Sequence, residues 1–238
     1  MALGCGASQR KIHRNTTLAF LYKNCSNLSM SDNIPKLELA YALLTVQDNR
    51  ELYAAWAKTY ENDFASEMDY ILPNRVAQIF LDMGGTGPVL DVGAGTGLAG
   101  QALARLGIHP IDAIDLSDAM LDVASKKKIY RNLFTSDITQ PITTNNYSYQ
   151  GVISSGTFTH GHVGPSAIDN LLSVARGGAF FALSINKNHW FERGFAKKFE
   201  ALKGVIEMLF LHDVEIYGEN SKGEHCNDLG IVATFRKV

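Results

Sequence analysis

The sequence predicts a doubly wound α/β fold: seven strands in a mostly parallel sheet with helices on both faces and the last strand antiparallel. Three observations carry this. From residue 88 onward short apolar runs alternate with helical patterns, so successive strands are joined by crossover helices and lie parallel. The run Val89-Leu90-Asp91-Val92 feeds directly into Gly93-Ala94-Gly95-Thr96-Gly97, a glycine turn set between a buried strand and a helix. Near the end of the chain two strand-like runs, Ile206 to Tyr217 and Leu229 to Phe235, are joined by a polar stretch without a helix, which makes them an antiparallel pair.

Taken in order, the pattern from Ile34 to Met83 is helical, with apolar groups at Leu37, Leu39, Tyr41, Leu43 and Leu44, then Leu52, Tyr53 and Trp56, then Tyr70, Val76, Ile79, Phe80 and Leu81 ahead of Gly84-Gly85. Pro88 to Val92 is the first strand, and Leu98 to Leu106 the helix after the turn. Ile111 to Ile114 is the second strand, Ser117 caps a helix running to about Lys127, and Asn132 to Ser136 is the third strand. Tyr149 to Ser154 is the fourth, Ser166 to Ala175 a helix ended by the glycines of Arg176-Gly177-Gly178, Gly178 to Ile185 the fifth strand, and Trp190 to Leu202 is helical again. No repeat or low-complexity stretch interrupts the series, so residues 34–238 form one domain, with N-terminal helices over 34–83 and the sheet core over 84–238.

A chain of 238 residues with 46% apolar content buries a substantial core,. The net charge of -2 points away from nucleic-acid and membrane-surface partners. No apolar run approaches the roughly 20 residues that span a bilayer. Cys5, Cys25 and Cys226 are distant from one another and lie in no metal-binding pattern, which argues for reduced thiols, a reducing compartment and no bound metal.

The first 31 residues carry Arg10, Lys11, Arg14 and Lys23 with no Asp or Glu, and are rich in Ser, Thr and Asn. Two readings are open: a disordered tail over 1–33 or an upstream start with Met30 as the true initiator on one side, and an organelle transit peptide on the other. The first makes the protein cytoplasmic, the second mitochondrial.

The glycine turn lets the chain reverse at positive φ and brings backbone N–H groups against a ligand. Alone it does not choose the ligand, since Gly95-Thr96-Gly97-Leu98-Ala99-Gly100 also fits the GxGxxG of nicotinamide dehydrogenases, with Asp115 about 20 residues on. Three features favour another nucleotide-like cofactor. Asp91 sits inside the first strand, where a dinucleotide has no use for a charge but an amino-acid ammonium does; several helices precede that strand; and the terminal antiparallel pair departs from the plain doubly wound sheet.

With these residues in place the chain resembles the class I S-adenosylmethionine-dependent methyltransferases, whose first motif has the form of VLDVGAGTG and whose second is an acidic strand end like Ile111-Asp112-Ala113-Ile114-Asp115. The resemblance runs from about Glu51 to the C-terminus and implies their Rossmann-like, seven-stranded fold. It implies that the backbone of Gly93, Ala94, Gly95 and Gly97 lines the methionyl and ribose parts of S-adenosyl-L-methionine, that Asp91 reaches the amino group directly or through water, and that Asp115 accepts from both ribose hydroxyls. Leu116 and Met120 would contact the adenine, Asp137 its exocyclic amine, the Ile138 backbone the ring, and Ser155 would join the same set. For Asp137 a turn-forming role is the competing reading. Asp112 reads as a strand-end or surface carboxylate. Trp56-Ala57-Lys58-Thr59-Tyr60-Glu61-Asn62-Asp63 is similar to the WAxxYDxD-like element of the Williams-Beuren-region methyltransferase-like group, with Glu61 for the usual aspartate. There such a segment caps the cofactor, so Tyr60 is a candidate lid residue; packing against Tyr53 and Trp56 is the alternative.

The loop Ser154 to Pro165 lies at the carboxyl edge of the sheet, where such folds place substrate. His160 and His162 within it are candidate general bases for a hydroxyl or amine nucleophile, or hydrogen-bonding residues of a Gly-rich turn. The expected reaction is methyl transfer by in-line displacement to an O or N nucleophile of a small-molecule acceptor, by a monomer or homodimer. A silent cofactor-binding scaffold is the first alternative, an NAD(P)-dependent oxidoreductase the second.

Overall fold

A computed structural model describes residues 45–143, 148–159, 163–222 and 225–238. The helical pattern expected from Ile34 to Leu44 lies outside them, as do His160 and His162. The described chain begins with helix α1 (Val46–Trp56), a π-helical turn (Glu61–Ser66) and helix α2 (Leu72–Asp82). Thr45 starts α1 with a reciprocal cap, its hydroxyl accepting from the Asp48 N–H while its own N–H donates to the Asp48 carboxylate,. Pro73 enters α2 in its first turn, where its missing N–H costs nothing,.

The core follows as β1 (Val89–Val92), α3 (Leu98–Arg105), β2 (Ile111–Asp115), α4 (Asp118–Ser125), β3 (Tyr130–Thr135), β4 (Tyr149–Phe158), α5 (Ala167–Val174), β5 (Ala175–Asn186), α6 (Lys187–Arg193), α7 (Phe195–Ala201), β6 (Ile206–Glu215) and β7 (Leu229–Lys237). The strands form one seven-stranded sheet in the order β3-β2-β1-β4-β5-β7-β6. All pairings are parallel except those of β7, which runs against both β5 and β6. The expected mostly parallel sheet with a reversed last strand is therefore the observed one. β1 is an inner strand, buried at every position, as a strand covered on both faces must be.

Alternation along β1 assigns its two faces. Leu90 and Val92 join the main core with Leu171, Phe181, Trp190 and Phe199. Asp91 therefore projects to the opposite face, where α3 and the start of β3 lie. After β2, Ser117 caps α4 as expected, its hydroxyl accepting from the Met120 N–H.

One local expectation is refined and two are corrected. The stretch from Trp190 to Leu202 is two helices, because Gly194 at φ 77° closes α6 and opens α7,. The glycines at 177 and 178 do not end α5: Ala175 does so by turning extended, and Gly177 and Gly178 fall in an irregularity of β5 where Tyr149 pairs with Ala175 and Gly151 with Phe180,. Asp112 is no surface carboxylate. It is fully buried and accepts from Arg131 Nε and Nη2 at 3.0 and 2.6 Å, Asn132 Nδ2 at 3.0 Å and Tyr149 Oη at 2.9 Å. A buried carboxylate persists only with such compensation, so Asp112 ties the feet of β2, β3 and β4 together.

Candidate active site

The carboxyl ends of β1, β2 and β4 converge on the glycine turn, and every connection there is polar. Gly93 and Ala94 donate their N–H groups to the Ile114 carbonyl at 2.8 and 3.2 Å. The Val92 carbonyl receives the hydroxyls of Ser154 at 2.9 Å and Thr157 at 3.0 Å. That last contact explains Gly93: at φ 64° it already sits where side chains are strained, and a Cβ there would lie 2.0 Å from Thr157 Oγ1,. Gly95, at φ 54°, has open space where a Cβ would stand, so its glycine serves backbone conformation and access.

Asp115 closes the turn from the side. Its Oδ2 accepts from the Gly95 N–H and its Oδ1 from the Ser117 N–H, both at 2.8 Å. Burial raises its pKa above the usual carboxylate value, while the N–H groups of Ser117, Gly95 and Leu116 hold it down,. Asp91 lies beneath the turn, fully buried. Its Oδ2 accepts from the Tyr130 hydroxyl at 2.7 Å, and its Oδ1 is buried without a hydrogen-bond partner. Burial pushes its pKa up to about 6, against the lowering effects of Tyr130, the Gly100 N–H and, at longer range, Lys127.

Above the turn lies a cleft of about 320 Å³, counting its solvent-open mouth, between Gly93 to Thr96 with Leu98 and Ala99 on one wall and Tyr60, Tyr70 and Pro73 on the other, with Ser155 from β4 also lining it. Thr96 Oγ1 and Ser155 Oγ are both buried without partners.

Tyr60 is both a packed aromatic and a cleft residue. Its ring meets Trp56 edge-on at 5.0 Å and Phe64 at 5.1 Å, and Phe64 leads on to Tyr70 at 5.2 Å. Burial raises the Tyr60 pKa well above its ordinary value, with smaller contributions from Tyr70, Tyr53, Tyr217 and Asp115, so its hydroxyl stays a neutral donor. Tyr60 leads into the π-helical turn, a geometry common at functional sites,. Glu61, the next residue, reaches Lys127 beyond α4 at 2.7 Å, so the segment over the cleft is tied to the core beside it.

The predicted residues thus divide. Gly93, Ala94, Gly95, Ser155 and Tyr60 line one cleft; Gly97, at φ 90°, begins α3; Asp91 lies beneath the turn, and Asp115 is bonded to it. Met120 and Ile138 are buried at 1% and 6% exposure, and Leu116 is half-buried. Asp137 accepts from the Thr139 N–H at 2.8 Å and hydroxyl at 2.7 Å, the turn-forming geometry that competes with adenine contact. Among the described residues no cluster of three or more His, Cys, Asp or Glu is placed to hold a metal, and no helix is long and apolar enough to cross a membrane.

Tyr70, Pro73, Lys127, Tyr130 and Thr157 are among the residues of this region that the motifs did not single out. A signal existed for Tyr130. Gly97 and Gly100 leave a groove at the start of α3, and glycine inside a helix needs a packing reason; here a Cβ at Gly100 would lie 2.2 Å from the Tyr130 hydroxyl.

Comparison with known proteins gives this geometry a context. A family model described as a methyltransferase domain matches residues 89–178. Human methyltransferase-like protein 27 is 27% identical over 159 residues, which cover 64% of this chain and 64% of that protein's length. The TehB-like SAM-dependent methyltransferase of Corynebacterium glutamicum superposes with a TM-score of 0.56 at 19% identity, covering 78% of this chain and 98% of that one. The [4+2]-cyclase SpnF superposes with a TM-score of 0.60 at 14% identity, covering 82% and 97%. At these identities the two structural likenesses speak for the fold.

Proposed function

We propose that this chain is a class I S-adenosylmethionine-dependent methyltransferase, a reading supported by the methyltransferase-domain match over residues 89–178, and that it transfers the methyl group by in-line displacement to an oxygen or nitrogen nucleophile of a small-molecule acceptor. The residues present fit the donor. Three positive-φ glycines shape the turn, Gly95 leaves room for a ligand, and the buried hydroxyls of Thr96 and Ser155 await partners. The donor, when bound, supplies an electrophilic methyl group on a sulfonium.

What the chain contributes is binding, orientation and exclusion of water. The Gly93 to Thr96 backbone would hold the aminoacyl and ribose parts, and Asp115, one oxygen of which already fixes Gly95, would accept from the ribose hydroxyls. Asp91 supplies negative charge beneath the aminoacyl end. Leu116, Met120, Asp137 and Ile138 form the proposed adenine end. Tyr60 and Tyr70 close the cleft on the side from which an acceptor enters, and positioning of this kind is worth about 7–11 kcal/mol of barrier. For an acceptor that carries a proton, His160 or His162 is the proposed base; for a carboxylate acceptor neither is needed.

The observation that carries the reading is the polar suspension of one glycine turn between Val92, Ile114 and Asp115 opposite a tyrosine-lined wall. The net charge of -2 supports a small-molecule rather than a nucleic-acid acceptor,. The separated cysteines support a reducing compartment, the cytoplasm or, with a transit peptide at the N-terminus, the mitochondrion. A monomer or homodimer completes the proposal. The test is incubation with methyl-labelled donor and a metabolite extract, followed by identification of the labelled product. A labelled small molecule is expected; donor binding without label transfer to any component would replace the enzyme with a binding scaffold.

A further inference from the structure

The Asp91 carboxylate does not line the cleft, yet it lies beneath the residues that do, and one side chain from outside the motifs is hydrogen-bonded to it. Tyr130, at the foot of β3, lays its ring along the first turn of α3, where a Cβ at Gly97 would lie 3.0 Å from the ring and one at Gly100 2.2 Å from the hydroxyl. Both glycines are needed to let the ring pass. At the end of that passage the hydroxyl donates to Asp91 Oδ2 at 2.7 Å.

We propose that Tyr130 is a positioning residue for the methyl donor: its hydroxyl fixes the Asp91 carboxylate beneath the glycine turn, keeps it anionic and so sets the charge and shape of the backbone cradle above. This rests on the reading that the Gly93 to Thr96 turn binds S-adenosylmethionine. The donor's aminoacyl group carries an ammonium, and the field of an ionised Asp91 favours it; a protonated Asp91 gives no such help. With one oxygen held by Tyr130, Oδ1 is buried without a hydrogen-bond partner. The groups that bear on Asp91 are Tyr130 from β3, the Gly100 N–H from α3, Asp115 from β2 and Lys127 beyond α4. Tyr130, Gly100 and Lys127 favour its charged form, and Asp115 opposes it. Loss of the Tyr130 hydroxyl therefore shifts Asp91 toward its neutral form at a given pH.

The experiment is calorimetric binding of S-adenosylhomocysteine, which has the same aminoacyl group and undergoes no transfer, to the wild type, Tyr130→Phe and Asp91→Asn between pH 5 and 8, with thermal melts alongside. The wild type is expected to lose affinity as the pH falls through about 6. Tyr130→Phe is expected to bind roughly tenfold more weakly at pH 7, with the midpoint of its affinity-against-pH curve moved upward and its far-ultraviolet dichroism unchanged. Asp91→Asn is expected to bind weakly with that pH step gone. A folded Tyr130→Phe protein with wild-type affinity and midpoint overturns the proposal. Should Tyr130→Phe fail to fold, the Asp91→Asn arm decides, because persistence of the wild-type step without the carboxylate shows that Asp91 is not the group Tyr130 tunes. A wild type that binds no S-adenosylhomocysteine at any pH rejects the donor site itself, a different result from either.

Discussion

Asp91→Asn is expected to make the ligand-free protein more stable at neutral pH while weakening its hold on the methyl donor. Asp91 is fully buried, and burial raises its pKa from 3.8 to about 6. Below pH 3.8 the group is protonated in both the folded and the unfolded chain, and the stability associated with its neutral form is fully present. As the pH rises toward 6 the unfolded chain ionises first, and that stability is lost through the folded pKa of about 6,. At pH 7 the loss amounts to about 3 kcal/mol. Asparagine has the same shape, carries no charge at any pH, and its carbonyl still accepts from Tyr130.

For a domain of this size about 3 kcal/mol corresponds to a melting-temperature gain of roughly 6–12 °C. The assay is differential scanning calorimetry of ligand-free wild type and variant at half-unit steps from pH 4 to 8. The two melting curves should lie furthest apart at pH 7 and above and converge as the pH falls through the window between about 6 and 3.8. A variant that melts at or below the wild-type temperature at pH 7, or a gap that does not narrow on acidification, refutes the reasoning, because the carboxylate would then be stabilised by its surroundings.

Other outcomes follow from neighbouring contacts. Asp115→Ala removes an acceptor from the proposed ribose site and the anchor of the Gly95 N–H together; donor affinity measured by calorimetry should fall about 10- to 100-fold. Gly93→Ala places a Cβ 2.0 Å from Thr157 Oγ1 at a φ of +64°, and about 1–3 kcal/mol of stability should be lost in denaturant titration together with donor binding. Lys127→Met cuts the tie to Glu61. Glu61 is 38% exposed, so the stability lost should be on the order of 1 kcal/mol, below that of a wholly buried pair. Release of Tyr60 should show as faster dissociation of S-adenosylhomocysteine in stopped-flow fluorescence.

The parallel core and the reversed last strand were legible because their causes are local: continuous apolar runs, the helix cap at Ser117, and a helix-free connection before β7. The glycine turn was legible for the same reason. What the pattern missed depends on groups brought together across the sequence. Nothing in Ile111-Asp112-Ala113 announces that Arg131, Asn132 and Tyr149 converge on Asp112, so a lone polar residue in a strand read as an edge carboxylate. Tyr130 is separated from Asp91 by 39 positions and came into view only through the two glycines that make room for it. The glycines of Arg176-Gly177-Gly178 show the converse error: a local rule for helix ends placed a cap where the competing demand of pairing β5 with β4 used them for a register shift,.

The same separation accounts for how the site is built. Each element of the cradle is unfavourable for the fold taken by itself: an ionised Asp91 in an apolar layer, buried Thr96 and Ser155 hydroxyls without partners, and backbone held at positive φ,. They persist because rigid surroundings over-determine them. Val92 accepts from both Ser154 and Thr157, Asp115 is bonded at both oxygens, and β1 is buried along its whole length. A ligand that supplies hydrogen bonds to Thr96 and Ser155 and positive charge near Asp91 relieves these costs on binding, so part of its affinity comes from removing stress already present in the free protein. That is why the substitution expected to stabilise the fold most, Asp91→Asn, is also one expected to weaken the donor site, and why the two effects share one titration window.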